Sequence, residues 1–136
     1  MTYLEITIVG PPVSHQSKNK SKLLAWKNEV RSAAATEWQR NPPLKVPLQV
    51  IVAYYHEGPE IRLDNDNFVK PIQDALNQLI CEDDRQLTDT IIRKTSIDTA
   101  IVARGKSAVL LAAFAHGEPF VHIVVRDAPS HANPVG

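Results

Sequence analysis

The sequence of 136 residues has one cysteine, no long apolar run and no net charge. Because Cys81 has no second cysteine to pair with, an internal disulfide is excluded, and a reducing, cytoplasmic location is expected. No stretch of ~18 apolar residues occurs, so no membrane-spanning helix is predicted. Residues 1–5 also lack the basic start and apolar core of a secretory signal. Cys81 follows an apolar run and is expected to be a small core residue.

Fifteen basic residues balance fifteen acidic ones, which argues against nucleic-acid binding through bulk positive charge. Their distribution is uneven. Residues 1–40 carry six Lys or Arg against three acids, and residues 57–89 carry nine acids against three bases. This distribution would suit a protein that holds a polyanion on a basic surface and cuts it at a metal ion bound by an acidic surface. It equally suits an ordinary protein with unevenly charged loops.

The hydrophobic pattern predicts alternating strands and helices. The strands are expected at residues 3–9, 46–55, 88–97 and 120–125. The helices are expected at residues 21–39 with Ser21 as N-cap, at 67–80, and at 108–116 with Ser107 as N-cap. This order predicts a small α+β (mixed α/β) domain over residues 1–127, with a mixed β-sheet of about four strands and two or three helices. Residues 128–136 are expected to form a disordered tail.

A group of acids with one lysine lies at the centre of the chain. Asp64 and Asp66 share one side of an extended segment, and Lys70 follows Asp66 by one helical turn. Asp83 and Asp84 lie beyond the same helix and reach the group if the chain folds back. Carboxylates brought this close repel one another unless a cation compensates, and hard oxygen ligands are those that Mg²⁺ selects. The pattern therefore predicts a divalent-metal site.

Each of these residues also has a purely structural interpretation. Asp66 or Asn67 could cap a helix, Asp83 and Asp84 could solvate a turn, and Lys70 could pair with an acid. Three other motifs do not fit. An EF-hand starting at Asp64 lacks its glycine and its final glutamate, no glycine-rich Lys-Ser/Thr loop is present for a nucleotide, and the histidines show no zinc-ligand spacing.

Six basic residues are candidates for contacting a phosphate backbone. They are Lys18, Lys20, Lys22, Arg62, Arg93 and Lys94. The first three lie in a polar segment, which could be a surface loop that contacts phosphates or, equally, a solvated connector. A neutral protein could still bind DNA if these six gathered on one face.

Several separated pieces of this sequence resemble one known family. The pieces are Gly10-Pro11-Pro12-Val13-Ser14, Trp26-Lys27-Asn28-Glu29-Val30, Asp64-Asn65-Asp66-Asn67 with Lys70-Pro71, Asp74-Ala75-Leu76-Asn77, and Asp83-Asp84-Arg85-Gln86. In this order they resemble the RusA family of Holliday junction resolvases, which are often prophage-encoded. The resemblance spans about residues 4–97 and the last strand. Residues 98–117 form a longer segment than the compact members carry.

The resemblance implies an Mg²⁺-dependent crossover junction endodeoxyribonuclease, with Mn²⁺ as a substitute ion and no nucleotide cofactor. Asp64, Asp66 and Asp84 would bind the metal with Asp83 adjacent, and Lys70 would be the essential basic residue. A homodimer would cut paired strands of branched DNA in recombination and repair. Two alternatives remain: a non-cleaving DNA-binding or phage accessory protein of the same fold, and a phosphohydrolase of small substrates. A degenerate binding protein would be expected to have lost at least one of the four residues Asp64, Asp66, Asp84 and Lys70. All four are present, which favours the nuclease.

Overall fold

The computed structural model describes residues 1–57, 65–97 and 106–131, and a four-stranded sheet occupies its centre. In chain order the elements are β1 (Thr2–Val9), α1 (Lys20–Trp38), β2 (Leu48–His56), α2 (Asn65–Leu76), a 3₁₀ turn (Asp84–Gln86), β3 (Leu87–Ser96), α3 (Ala108–His116) and β4 (Phe120–Asp127). The predicted order of strands and helices and the α+β class are confirmed.

The sheet is mixed, with the strand order β1-β4-β2-β3. β4 runs antiparallel to both β1 and β2, whereas β2 and β3 are parallel. Parallel neighbours need a crossover connection, and α2 provides it between β2 and β3. β3 lies at one edge of the sheet, as its two basic residues, Arg93 and Lys94, predicted.

One face of the sheet packs against α1 and α2 and forms the main core. Val50, Val52 and Tyr54 alternate along β2 toward this face, and the Tyr54 ring lies 6.1 Å from that of Phe68 in α2. Trp26 of α1 is also buried there. Fully burying one such side chain contributes about 1.5–3 kcal/mol, so apolar packing fixes both helices on the sheet.

The opposite face carries α3. Neighbouring residues on a strand point to opposite faces, and Phe120 accordingly joins Leu110 and Ala113 in a second, smaller core. A polar contact adds to this packing: the Glu5 carboxylate accepts a 2.6 Å hydrogen bond from Ser107 and lies 2.7 Å from the His122 ring. Ser107 is also the N-cap of α3, as predicted, and accepts a hydrogen bond from the backbone N–H of Leu110.

Two predicted boundaries are wrong. Asn19 caps α1 instead of Ser21, because its side chain accepts the Lys22 N–H at 3.0 Å. α2 ends at Leu76 instead of residue 80, because Gln78 adopts a left-handed backbone with φ of 63° that turns the chain out of the helix. The chain then folds back toward β3 within a few residues.

No helix in the described part of the chain is long and apolar enough to cross a membrane. The predicted disordered tail falls only partly within the described residues. Ala128 donates a backbone hydrogen bond to Pro47 at 3.2 Å, and His131 lies 2.8 Å from the Asp89 carboxylate. Residues 132–136 lie outside the described ranges, so disorder there stays a prediction.

Candidate active site

α2 presents a charged face away from the core. Its apolar positions, including Phe68 and Ile72, are buried against the sheet and α1. Asp66, Lys70 and Asp74 recur every four residues and therefore share the other face. Asp66 lies in the first turn, where the partial positive charge of the helix end favours a carboxylate.

Lys70 joins α2 to the acidic turn that precedes β3. Its ammonium donates a hydrogen bond to Asp74 at 2.8 Å and lies 3.8 Å from a carboxylate oxygen of Asp84. The hydrogen bond to Asp74 is the largest cause that raises the pKa of Lys70. Lys70 therefore remains protonated at neutral pH and acts as a fixed positive charge, not as a base.

Asp74 is itself held between two lysines. Its second oxygen lies 3.3 Å from the ammonium of Lys27, which comes from α1. Partial burial raises the pKa of Asp74, but the hydrogen bonds from Lys70 and Lys27 outweigh this and lower it. Partly exposed ion pairs of this kind contribute only about 0–1 kcal/mol to stability. Their main effect here is to fix the position of the Lys70 ammonium.

Asp83 and Asp84 have different environments although they are adjacent. The Asp83 carboxylate caps the 3₁₀ turn, accepting hydrogen bonds from the backbone and guanidinium of Arg85 at 2.9 Å each. The hydrogen bonds from Arg85 lower the pKa of Asp83 to about 2. Both Asp83 oxygens are therefore engaged within the protein. The Asp84 carboxylate instead faces Lys70, and it is the better candidate for a metal ligand.

Gln86 anchors this acidic turn to the rest of the domain. Its side-chain oxygen accepts hydrogen bonds from the backbone N–H groups of Glu82 and Asp83, both at 3.0 Å. Its amide nitrogen donates to the carbonyl oxygens of Leu44 and Val46, at 2.8 and 3.0 Å, just before β2. Asp84 is thus placed by a rigid turn. The Asp-x-x-Gln spacing is a capping-box signature, which is the signal for this turn in the sequence.

The acids described here fit a metal only in part. The Asp66 carboxylate makes no hydrogen bond or ion pair with any described residue, and the one ion pair of Asp84 among them is with Lys70. Both carboxylates are thus available as hard oxygen donors. Within the described ranges, however, no three acidic, histidine or cysteine side chains come together as a metal-binding group. Asp64, the remaining predicted ligand, lies outside the described residues.

A break in the hydrogen bonding of α2 brings the polar loop after β1 to this site. Pro71 has no backbone N–H, so the Asn67 carbonyl has no donor one turn further along the helix. The backbone N–H of His15 donates to that carbonyl at 2.9 Å. The helix continues through Pro71.

The candidate DNA-binding residues fall into three groups. Lys18, Lys20 and Lys22 are exposed where this loop enters α1, a few residues from the His15 anchor. Arg93 and Lys94 are consecutive in β3 and therefore lie on opposite faces of the sheet, so these two do not gather on one face as expected. Of the pair, Lys94 lies on the face that carries α2. Arg62 lies outside the described residues.

Two residues at the back of α2 were missed by sequence reasoning. Lys27 reaches Asp74, and Arg31 donates hydrogen bonds to the Ala75 and Asn77 carbonyls at 3.0 and 3.1 Å, capping the end of α2. In the sequence, neither residue belongs to the set of apolar residues that recur at helical spacing along α1. No pattern in the sequence indicated that these two side chains would contact α2.

The described part of the site thus combines acidic side chains with one protonated lysine beside a cleft. Residues 11–103, more than half of the chain, match the family described as Endodeoxyribonuclease RusA. The chain belongs to the RusA family, as its motifs indicated. The match includes every candidate site residue and ends before α3. No curated protein matches the chain at a significant level.

Proposed function

We propose that this protein is a Mg²⁺-dependent endodeoxyribonuclease that resolves four-way DNA junctions in recombination and repair. The family match supports the nuclease class, and one structural observation supports the chemistry at this site. Lys70, on the same helical face as Asp66, lies 3.8 Å from Asp84, although Asp66 belongs to the first turn of α2 and Asp84 to the 3₁₀ turn beyond the helix. The site therefore combines carboxylates with a fixed positive charge.

The proposed metal ligands are Asp64, Asp66 and Asp84, with Asp83 holding the turn that carries Asp84. The chemistry that a divalent ion supplies when bound is stabilisation of a phosphodiester and a lowered pKa for water. The protonated Lys70 stabilises negative charge that develops on the phosphate. Mn²⁺ is proposed as a substitute because it also accepts carboxylate ligands.

The proposed substrate and assembly are branched DNA and a homodimer. A two-fold symmetric dimer places two equal sites so that they address two strands of a four-way junction. The exposed lysines of the loop, Lys18, Lys20 and Lys22, would contact the backbone near the site. These contacts make binding dependent on salt concentration.

A gel assay tests this proposal directly. The protein is incubated with an end-labelled synthetic junction and with a linear duplex of the same sequence, in Mg²⁺, in Mn²⁺ and in EDTA. We expect paired nicks in the junction with either ion, and intact linear duplex throughout. Cleavage that ignores branching, or that persists in EDTA, would contradict it. Binding without cleavage under all conditions would support the accessory-protein alternative.

Substitution of the acids separates metal binding from folding. Asp64→Asn and Asp84→Asn are expected to abolish cutting while junction binding survives, because the lost charge serves the metal. Asp89→Asn is a matched control, since Asp89 lies on β3 and pairs with His131 away from the site. Unchanged cleavage by either site variant would count against the assignment.

A further inference from the structure

A cleft lies next to the acids, between α2 and the edge strand β3. Its volume is about 590 Å³, within the range of small-molecule sites. Asp66 and Lys70 form the end nearest the proposed chemistry. Asn67 and Val69 of α2 also line it, together with four residues that have no role in the metal site: His15, Gln73, Thr90 and Ile92.

The lining combines an apolar surface with three different hydrogen-bonding groups. Val69 and Ile92 supply methyl groups of the kind that pack against the flat face of a base. His15, Gln73 and Thr90 supply an imidazole, an amide and a hydroxyl, and the Gln73 amide lies 3.4 Å from the Thr90 hydroxyl. Amide and hydroxyl groups of this kind read the hydrogen-bonding edges of bases.

The backbone of His15 is fixed, while its imidazole has no hydrogen-bond partner among the described residues. The backbone bond to Asn67, made where Pro71 leaves a carbonyl without a donor, holds the residue at the cleft. Among the described residues its imidazole makes no hydrogen bond, and its Nδ1 atom is buried. A ligand in the cleft would gain a hydrogen bond from this ring without breaking one inside the protein.

We infer that this cleft receives one nucleotide of the strand to be cut, next to the scissile phosphate, and that His15, Gln73 and Thr90 contact its base. The inference rests on the proposed function and adds to it the residues that select the cutting position. Lys70 at the end of the cleft fits the adjoining phosphate. Taking a base out of the stack costs least where pairing is already interrupted, as at the crossover of a junction.

Fluorescent bases test this placement without requiring cleavage. Junctions carrying 2-aminopurine at one position at a time near the crossover are titrated with the full-length protein in Ca²⁺, and a gel confirms that the strands remain uncut. We expect one position to brighten on binding, because its base leaves the stack. His15→Ala, Gln73→Ala and Thr90→Val are expected to remove that signal and to weaken binding about tenfold, as loss of a base contact does.

Matched controls separate this effect from folding. Gln16→Ala lies in the same loop as His15, and Thr88→Val lies on the same strand as Thr90, and neither side chain lines the cleft. Both controls should keep the wild-type signal. Thr90 is exposed, so Thr90→Val keeps the test informative if a loop variant fails to fold.

The outcomes distinguish the two proposals. If the wild type cuts junctions in Mg²⁺ but no base brightens, or if the variants behave as the controls do, the nucleotide site in the cleft is overturned. The proposed nuclease function then stands. If one base brightens and the variants lose the signal while no junction is cut in Mg²⁺, the proposed function is overturned and the nucleotide site stands.

Discussion

The backbone N–H of His15 donates to the Asn67 carbonyl at 2.9 Å, and Pro71 is the reason that this carbonyl is available. A proline inside a helix costs stability, on the order of 3 kcal/mol. Here the lost intrahelical bond is replaced by one that ties the β1–α1 loop to the helix carrying the candidate acids. The proline therefore links the basic loop to the site.

Replacing Pro71 with alanine should release this loop. The substitution restores a backbone N–H that competes for the Asn67 carbonyl, so we expect faster trypsin cleavage at Lys18 and Lys20 under native conditions, with no loss of thermal stability. Pro42→Ala, in the turn after α1, is the control and should leave the cleavage rate unchanged. Identical proteolysis of Pro71→Ala and the wild type would show that the bond does not hold the loop.

Replacing Asp74 with asparagine should misplace the Lys70 ammonium. Asparagine loses the charge that holds Lys70 at 2.8 Å, and small misplacements of a charged group cost about tenfold to a hundredfold in rate. We expect the single-turnover cleavage rate to fall while the junction Kd changes little. Lys70→Ala gives the upper limit of the effect. A fall in binding with an unchanged rate would contradict a positioning role for Asp74.

Substitutions of the two adjacent aspartates should have opposite consequences. Asp83→Ala removes the cap of the 3₁₀ turn, so we expect Tm to fall by a few degrees. Cleavage should be retained, because the backbone hydrogen bonds to Gln86 still hold the turn that carries Asp84. Asp84→Asn should keep Tm and lose cleavage, because its carboxylate faces Lys70. Thermal melts and cleavage rates on the same preparations check both. Loss of cleavage in Asp83→Ala with an unchanged Tm would instead make Asp83 a metal ligand.

Replacing Gln86 with leucine should destabilise the acidic turn. The change removes the acceptor of two backbone N–H groups and the donor to the Leu44 and Val46 carbonyls. Leaving partly buried backbone groups without partners costs roughly 1–3 kcal/mol in free energy of unfolding, which urea titration measures. Gln16→Leu, at an exposed glutamine with no side-chain bond to any described residue, should change stability little.

The Glu5 contact predicts an acid-sensitive attachment of α3. Burial raises the pKa of Glu5, but hydrogen bonds from Ser107 and His122 outweigh it and lower the pKa below its ordinary value of 4.5. A carboxylate with a lowered folded-state pKa stabilises the protein above 4.5, and this contribution is lost as the pH falls through the folded-state pKa. Urea titrations from about pH 7 to about pH 3 should therefore show a steeper loss in the wild type than in Glu5→Gln. Parallel profiles would contradict this.

The sequence predicted the elements well because their hydrophobic patterns are local. Leu4, Ile6 and Ile8 alternate in β1, and Leu23, Trp26 and Val30 follow helical spacing in α1, and all six are buried. The helix ends were less predictable. Asn19 and Ser21 are both good caps, and only the structure shows which one accepts the Lys22 N–H. The left-handed Gln78 that ends α2 also has no strong sequence signal, since glycine is the usual residue there.

The site was predictable in its residue types but not in its supports. The spacing of Asp66, Lys70 and Asp74 placed them on one helical face, and the Lys70–Asp74 ion pair confirms this for those two residues. The contact of Lys27 with Asp74 depends on how α1 packs against α2, and long-range packing leaves no local pattern. The roles of Asp64 and Arg62 stay predictions, because both residues lie outside the described part of the chain.

The strand order has a consequence for how the protein is made. β4, the last strand of the sequence, lies between β1 and β2, so these two early strands lack their shared neighbour until residues 120–127 leave the ribosome. A nascent chain that stops short of this point keeps two strand edges open and cannot close its central sheet. Closure of the sheet therefore waits until β4 has been synthesised, and a premature stop codon before Phe120 should yield an aggregating fragment in place of a nuclease.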